Sequence, residues 1–140
     1  MSEVDSELID SYTATVFRVW DSSSRITFQV EAHNRELDSR LKTNSAQTAA
    51  FITAHNPGSQ VLDPDDNDRA HEALIGELRA RGLRWLDGDG VDPAGQWIPE
   101  TSVMVLDIDQ RSATAIATQF GQNAYVWIRV GEPSRLVLTR

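Results

Sequence analysis

The run Thr48-Ala49-Ala50-Phe51-Ile52-Thr53-Ala54 is apolar on both parities, and it stops at once in His55-Asn56-Pro57-Gly58-Ser59-Gln60. A strand with one wet face alternates polar and apolar residues, whereas a short run without alternation has to be covered on both sides. The stretch therefore predicts an interior strand between two layers of other elements. The residues after it predict a turn at the strand end, because Asn, Gly and Ser close turns readily and Pro fixes one backbone angle.

The rest of the chain supplies the elements that would cover such a strand. Residues 1 to 12 are acidic, with Val4, Leu8 and Ile9 near helical spacing, and read as a short helix or a loosely attached terminus. Residues 13 to 20 are rich in β-branched and aromatic side chains, 21 to 24 form a turn cluster, and Ile26, Phe28 and Val30 alternate with polar residues. Together they predict a hairpin. Asn34 caps a short helix carrying Leu37 and Leu41, and Asp63-Pro64 opens a longer one striped by Ala70, Leu74 and Leu78 and ended by Gly82. Residues 83 to 86 read as a strand, and Asp87-Gly88-Asp89-Gly90 as a tight turn into an irregular segment ending at Pro99. Residues 102 to 108 read as a second buried strand. A helix with Ala113, Ile116, Ala117 and Phe120 on one face follows Asp109, and strands at 124 to 130 and 135 to 138 close the chain. Two strand–helix–strand units result, near 48 to 86 and 102 to 130. The expected fold is α+β or α/β, with a mixed β-sheet and helices packed on it, residues 13–140 making a single domain after the segment 1–12.

Composition removes several functions. There is no cysteine in the 140 residues, so disulfide scaffolds, thiolate metal sites and thiol catalysis are excluded. A net charge of −8 disfavours direct binding of nucleic-acid phosphates and of anionic membranes, since both need a surplus of Lys and Arg. With no basic n-region and no apolar run of spanning length, the sequence reads as cytoplasmic.

The chemistry-bearing candidates gather around strand ends, where ligands of α/β sheets usually sit. Thr53, Asn56 and Ser59 put hydroxyl and amide groups on the turn after the first buried strand, while Glu100 and Gln122 stand at other element boundaries. Glu100 is the one obvious acid or base among them. His55 is a weaker catalytic candidate, because no nucleophile or orienting carboxylate stands at a recognisable spacing from it. His71-Glu72 has no second His at 75, and the acidic run 63 to 68 lacks the glycine and glutamate positions of a calcium loop, so helix capping explains it better. Asp87 and Asp89 read as turn residues before they read as cation ligands. No phosphate-binding glycine loop occurs. Neither a metal nor a cofactor is therefore expected. Trp97, in the irregular segment just before Ile98-Pro99, is the tryptophan best placed to line a pocket.

Residues 51 to 59, with Asn67, Leu78, Gly82, Gly88, Trp97, Pro99-Glu100, Ser102 and Phe120-Gly121-Gln122-Asn123-Ala124, resemble the DUF3293 family, small bacterial proteins of unknown function. The resemblance runs from about Tyr12 to the C-terminus and implies a single-domain bacterial protein, with no catalytic residue to carry over. Two functions are expected from the residues themselves. One is a site for a small polar ligand built from Thr53, Asn56, Ser59, Glu100 and Gln122, with Asn56 and Ser59 facing Glu100 and Gln122 across one crevice. The other is a regulatory module whose acidic surface meets a basic protein partner.

Overall fold

The computed structural model describes residues 3–22 and 24–139, so Met1, Ser2, Arg140 and Ser23 of the 21 to 24 turn lie outside the described residues. The elements follow in the order α1 (Glu3–Ala14), β1 (Val16–Trp20), β2 (Arg25–Phe28), α2 (Arg35–Thr43), β3 (Thr48–Thr53), a 3-10 turn (Pro57–Ser59), α3 (Pro64–Ala80), β4 (Arg84–Val91), β5 (Glu100–Leu106), α4 (Gln110–Gln119), β6 (Ala124–Arg129) and β7 (Arg135–Leu138). The expected helix starts hold for a local reason, the satisfaction of first-turn amides by a side-chain oxygen. Asn34 accepts from the Leu37 N–H at 3.1 Å, Asp63 from Asp65 at 2.9 Å and Asp109 from Ser112 at 2.7 Å.

The strands form one sheet in the order β2-β1-β4-β5-β3-β6-β7. Every neighbouring pair in it is antiparallel. The two strand–helix–strand units are real crossovers, and they interlock. β3 and β4 run the same way with β5 between them, and β5 and β6 run the same way with β3 between them. Each crossover skips one place, and a strand of the other unit fills it. The result is an α+β fold.

This arrangement makes β3 an interior strand with a neighbour on each edge and a layer on each face. Ala50 and Ile52 pack in one core with Leu74 and Leu78 of α3 and with Ala113, Ile116 and Ala117 of α4. Ala49 and Phe51 pack in the opposite core with Leu37 and Leu41 of α2, and Tyr12 of α1 closes its edge. At roughly 1.5–3 kcal/mol for each fully buried large aliphatic side chain, these two cores are what holds the layers to the sheet. No helix among the described residues is long and apolar enough to cross a membrane.

Two local expectations are corrected. Thr13 belongs to the end of α1 and not to the first strand. The tight turn expected at residues 87 to 90 does not form, because β4 continues through it to Val91. A Cβ at Gly88 would lie 2.4 Å from the Arg18 carbonyl oxygen and 2.8 Å from the Phe51 ring, so the glycine serves close approach within a sheet, not chain reversal. Asp89, one residue on, pairs with Arg18, Nε to Oδ1 at 2.7 Å.

Candidate functional site

β3 delivers the chain to the turn through Thr53, whose hydroxyl donates to the Thr101 carbonyl at 2.7 Å and accepts from the His55 N–H at 3.0 Å. Asn56 then takes a left-handed backbone, φ 49°, which Asn tolerates better than most residues. It is held there by Asn67, a buried residue in the first turns of α3. The Asn56 N–H donates to Asn67 Oδ1 at 2.8 Å, while Asn56 Oδ1 accepts from Asn67 Nδ2 at 2.9 Å and from the Leu62 N–H at 3.0 Å. Asn56 therefore shapes the turn, and its amide oxygen is already used.

The turn is clasped to the loop that precedes β6. The Gly58 N–H donates to the Gly121 carbonyl at 2.7 Å, and Asn123 Nδ2 donates to Ser59 Oγ at 3.2 Å. Gln122 is buried, with Nε2 donating to the His55 carbonyl at 3.0 Å. At Gly121 the backbone has φ +70°, and a Cβ would lie 2.7 Å from Pro57 Cβ. Gly121→Ala is expected to cost about 1–2 kcal/mol in urea unfolding, from strain at positive φ added to the clash. A loss below about 0.5 kcal/mol would mean that the two loops are not clasped as described.

Between these loops and α1 lies a cleft with a volume of about 280 Å³. It is small for a ligand pocket and suits a compact metabolite. Leu8, Ser11, Tyr12 and Thr15 wall it from the α1 side, and Phe17 and Phe51 line it from the sheet. The Phe17 ring is 6.1 Å from that of Tyr12 and 5.3 Å from that of Phe51, measured between centroids. All six sequence candidates line this one cleft: Thr53, His55, Asn56, Ser59, Glu100 and Gln122. Trp97, Ser102, Val61, Gly90 and Asn123 complete the lining. A wider depression of about 500 Å³ at the other end of β3 carries charges of both signs, with Arg129 paired to Glu132 at 3.5 Å. None of the sequence candidates lines it, and a self-paired, open surface of this kind is an ordinary solvated face.

Glu100 is the electrostatic exception in the cleft. It opens β5, opposite Gly90, and its carboxylate has no hydrogen bond or ion pair among the described residues. Burial alone pushes its pKa from the ordinary 4.5 up to about 7. Burial also raises the phenol of Tyr12, to which the nearby Glu100 charge adds. His55 moves the other way, pushed down first by burial and then by His71, against a smaller opposing pull from Asp68. The two imidazoles meet edge to face at 6.2 Å, and His55 Nε2 and His71 Nδ1 are buried without a hydrogen-bond partner among the described residues. A neutral His55 whose Nε2 lacks an orienting group is poorly equipped as a general base.

Residues of α1 were missed by sequence reasoning as parts of the site. The one available signal was the four-residue spacing of Leu8 and Tyr12, which puts both on a single helical stripe.

Fold and cleft thus define a small α+β domain with a partly apolar pocket at the end of the interior strand β3. Residues 52–125 match the family described as "Protein of unknown function (DUF3293)", and the chain belongs to that family. The matched span holds every polar candidate of the cleft and lies wholly outside α1. No curated protein and no solved structure matches the chain.

Proposed function

We propose that the protein binds a small polar ligand in the cleft between α1 and the loops after β3 and before β6. The observation that carries the reading is convergence. Groups from residues 53 to 59, from residue 100 and from residue 122, distant in sequence, meet in one cavity of about 280 Å³ backed by aromatic rings. A mainly apolar cavity with a few placed polar groups is the usual form of a ligand site. Its internal hydrogen bonds give these groups distinct parts. Thr53, Asn56 and Gln122 fix the shape of the rim, whereas Glu100 is the charged group left to meet a ligand.

A second reading, catalysis, has one observation of its own. A carboxyl titrating near neutrality is suited to taking up and returning a proton at pH 7, and Glu100 is such a group.

Thermal-shift screening of a metabolite library tests the binding reading, since a ligand specific for the native state raises the melting temperature. Hits are expected to lose their effect in Glu100→Ala and Gln122→Ala. Hits that stabilise both variants as well as the parent protein would place binding elsewhere and end this reading.

A further inference from the structure

The hydrogen-bond directions around the cleft describe what its ligand must bring. Four hydroxyls that line it already donate to backbone carbonyls: Tyr12 to Ala124 at 3.1 Å, Thr15 to Ser11 at 2.7 Å, Thr53 to Thr101 at 2.7 Å and Ser102 to Glu100 at 2.9 Å. The Gln122 amide gives both its N–H groups to the His55 and Phe120 carbonyls, and the Asn123 amide gives one of its two to Ser59 Oγ. What remains is acceptor-rich. Among the described residues, the Glu100 carboxylate and Gln122 Oε1 take no hydrogen bond and no Lys or Arg lines the cleft. Ser11, Asn56, Ser59, Asn123 and Trp97 keep neutral donors, which can orient a ligand hydroxyl but supply no positive charge.

A half-buried carboxylate without a counter-charge is an unstable arrangement that a cation corrects. Tyr12 and Trp97 line the same cleft, and an aromatic ring is a group that attracts a cation through its quadrupole. The net charge of −8 draws cations toward the surface. Deepening the ligand-binding reading and resting on it, we propose that the cleft recognises an organic cation, an ammonium or substituted ammonium on a compact apolar body, through Glu100 and the aromatic wall of Tyr12 and Trp97.

A pH signature follows. Glu100 has to be ionised to pair with the cation, so apparent affinity scales with its ionised fraction. The other titratable groups of the lining are Tyr12 and His55. Burial disfavours the charged form of both, raising the phenol and lowering the imidazole. Glu7 and Asp10 of α1 are not part of the lining. With Glu100 titrating near 7, affinity for a permanently charged head group should fall about tenfold from pH 8 to pH 6.

The test uses three probes that share a phenyl ring and a short chain and differ in the head group: phenethylamine, 2-phenylethanol and 3-phenylpropionate. Their affinities for the full chain are measured by calorimetry and ligand-observed NMR at pH 6, 7 and 8. Phenethylamine is expected to bind at least tenfold more tightly than either analogue at pH 8 and to lose about tenfold by pH 6. Glu100→Gln, its fold checked by circular dichroism, should abolish both the preference and the pH dependence. If 2-phenylethanol or 3-phenylpropionate binds as well as the amine and still requires Gln122, the cation proposal fails while the cleft remains a binding site. Amine binding that Glu100→Gln leaves unchanged would overturn the proposal and the location together. Binding of none of the three probes overturns the cation proposal, and the library screen then judges the cleft separately.

Discussion

Glu100→Gln is expected to leave stability nearly unchanged at pH 4 and to raise it by about 2–3 kcal/mol at pH 8. Glu100 is protonated more readily in the folded chain, near pH 7, than at its ordinary 4.5. The stability it contributes is therefore complete below 4.5 and is lost as the pH rises through 7. At about 1.4 kcal/mol for each pH unit the full difference is about 3.5 kcal/mol, and residual solvent contact lowers it to the range expected. His55 and His71 act with the opposite sign. Their folded pKa values lie below the ordinary 6.5, so they favour the native state at high pH and lose that contribution on acidification. Comparing the variant with the parent protein cancels the histidines and isolates Glu100. Urea unfolding of both proteins from pH 4 to 8 is the measurement. A stability offset that is the same at every pH would show that Glu100 is not desolvated in the native state.

The second large effect is expected at Asn67. Its side chain joins α3 to the cleft turn through two hydrogen bonds with Asn56, at 2.8 and 2.9 Å. Asn67→Ala leaves the Asn56 N–H without an acceptor and removes one of two donors to Asn56 Oδ1. At about 1–3 kcal/mol for each stranded buried group, a loss of about 2–3 kcal/mol follows. Because Asn56 sits at positive φ, the turn should also loosen, and exchange of the Asn56 and Leu62 amides should accelerate more than that of β3. Asn67→Asp restores the acceptor for the Asn56 N–H but sets a carboxylate oxygen against Asn56 Oδ1, so it should recover only part of the loss. If Asn67→Ala cost less than about 0.5 kcal/mol, the amide pair would not be what sets the turn.

Features that depend on neighbouring residues were legible in the sequence. The doubly covered strand at 48 to 54, its polar turn and the helix caps each follow from residue chemistry over a few positions. Glu100 and Gln122 were legible as candidates because both stand at element boundaries. Features that depend on distant residues were not. Gly88 serves turns and close strand approaches equally well, and only the Phe51 ring and the Arg18 carbonyl, placed by other strands, decide between them. The place of Tyr12 in the wall is settled in part by a residue 112 positions away, Ala124, whose carbonyl its hydroxyl reaches. The burial that moves Glu100 toward neutrality is likewise a property of the assembled cleft.

The position of β3 between two late strands has a consequence for the chain as it is made. Ala49 pairs with Leu106 and with Ile128, so when a ribosome has released the first 90 residues both edges of β3 still lack partners. For that interval Ala49-Ala50-Phe51-Ile52 is an apolar segment with free backbone donors and acceptors, the kind that pairs with other chains. Slow synthesis or truncation before β5 should therefore send this protein toward aggregates. Contacts of such long sequence separation also place it among slower-folding domains.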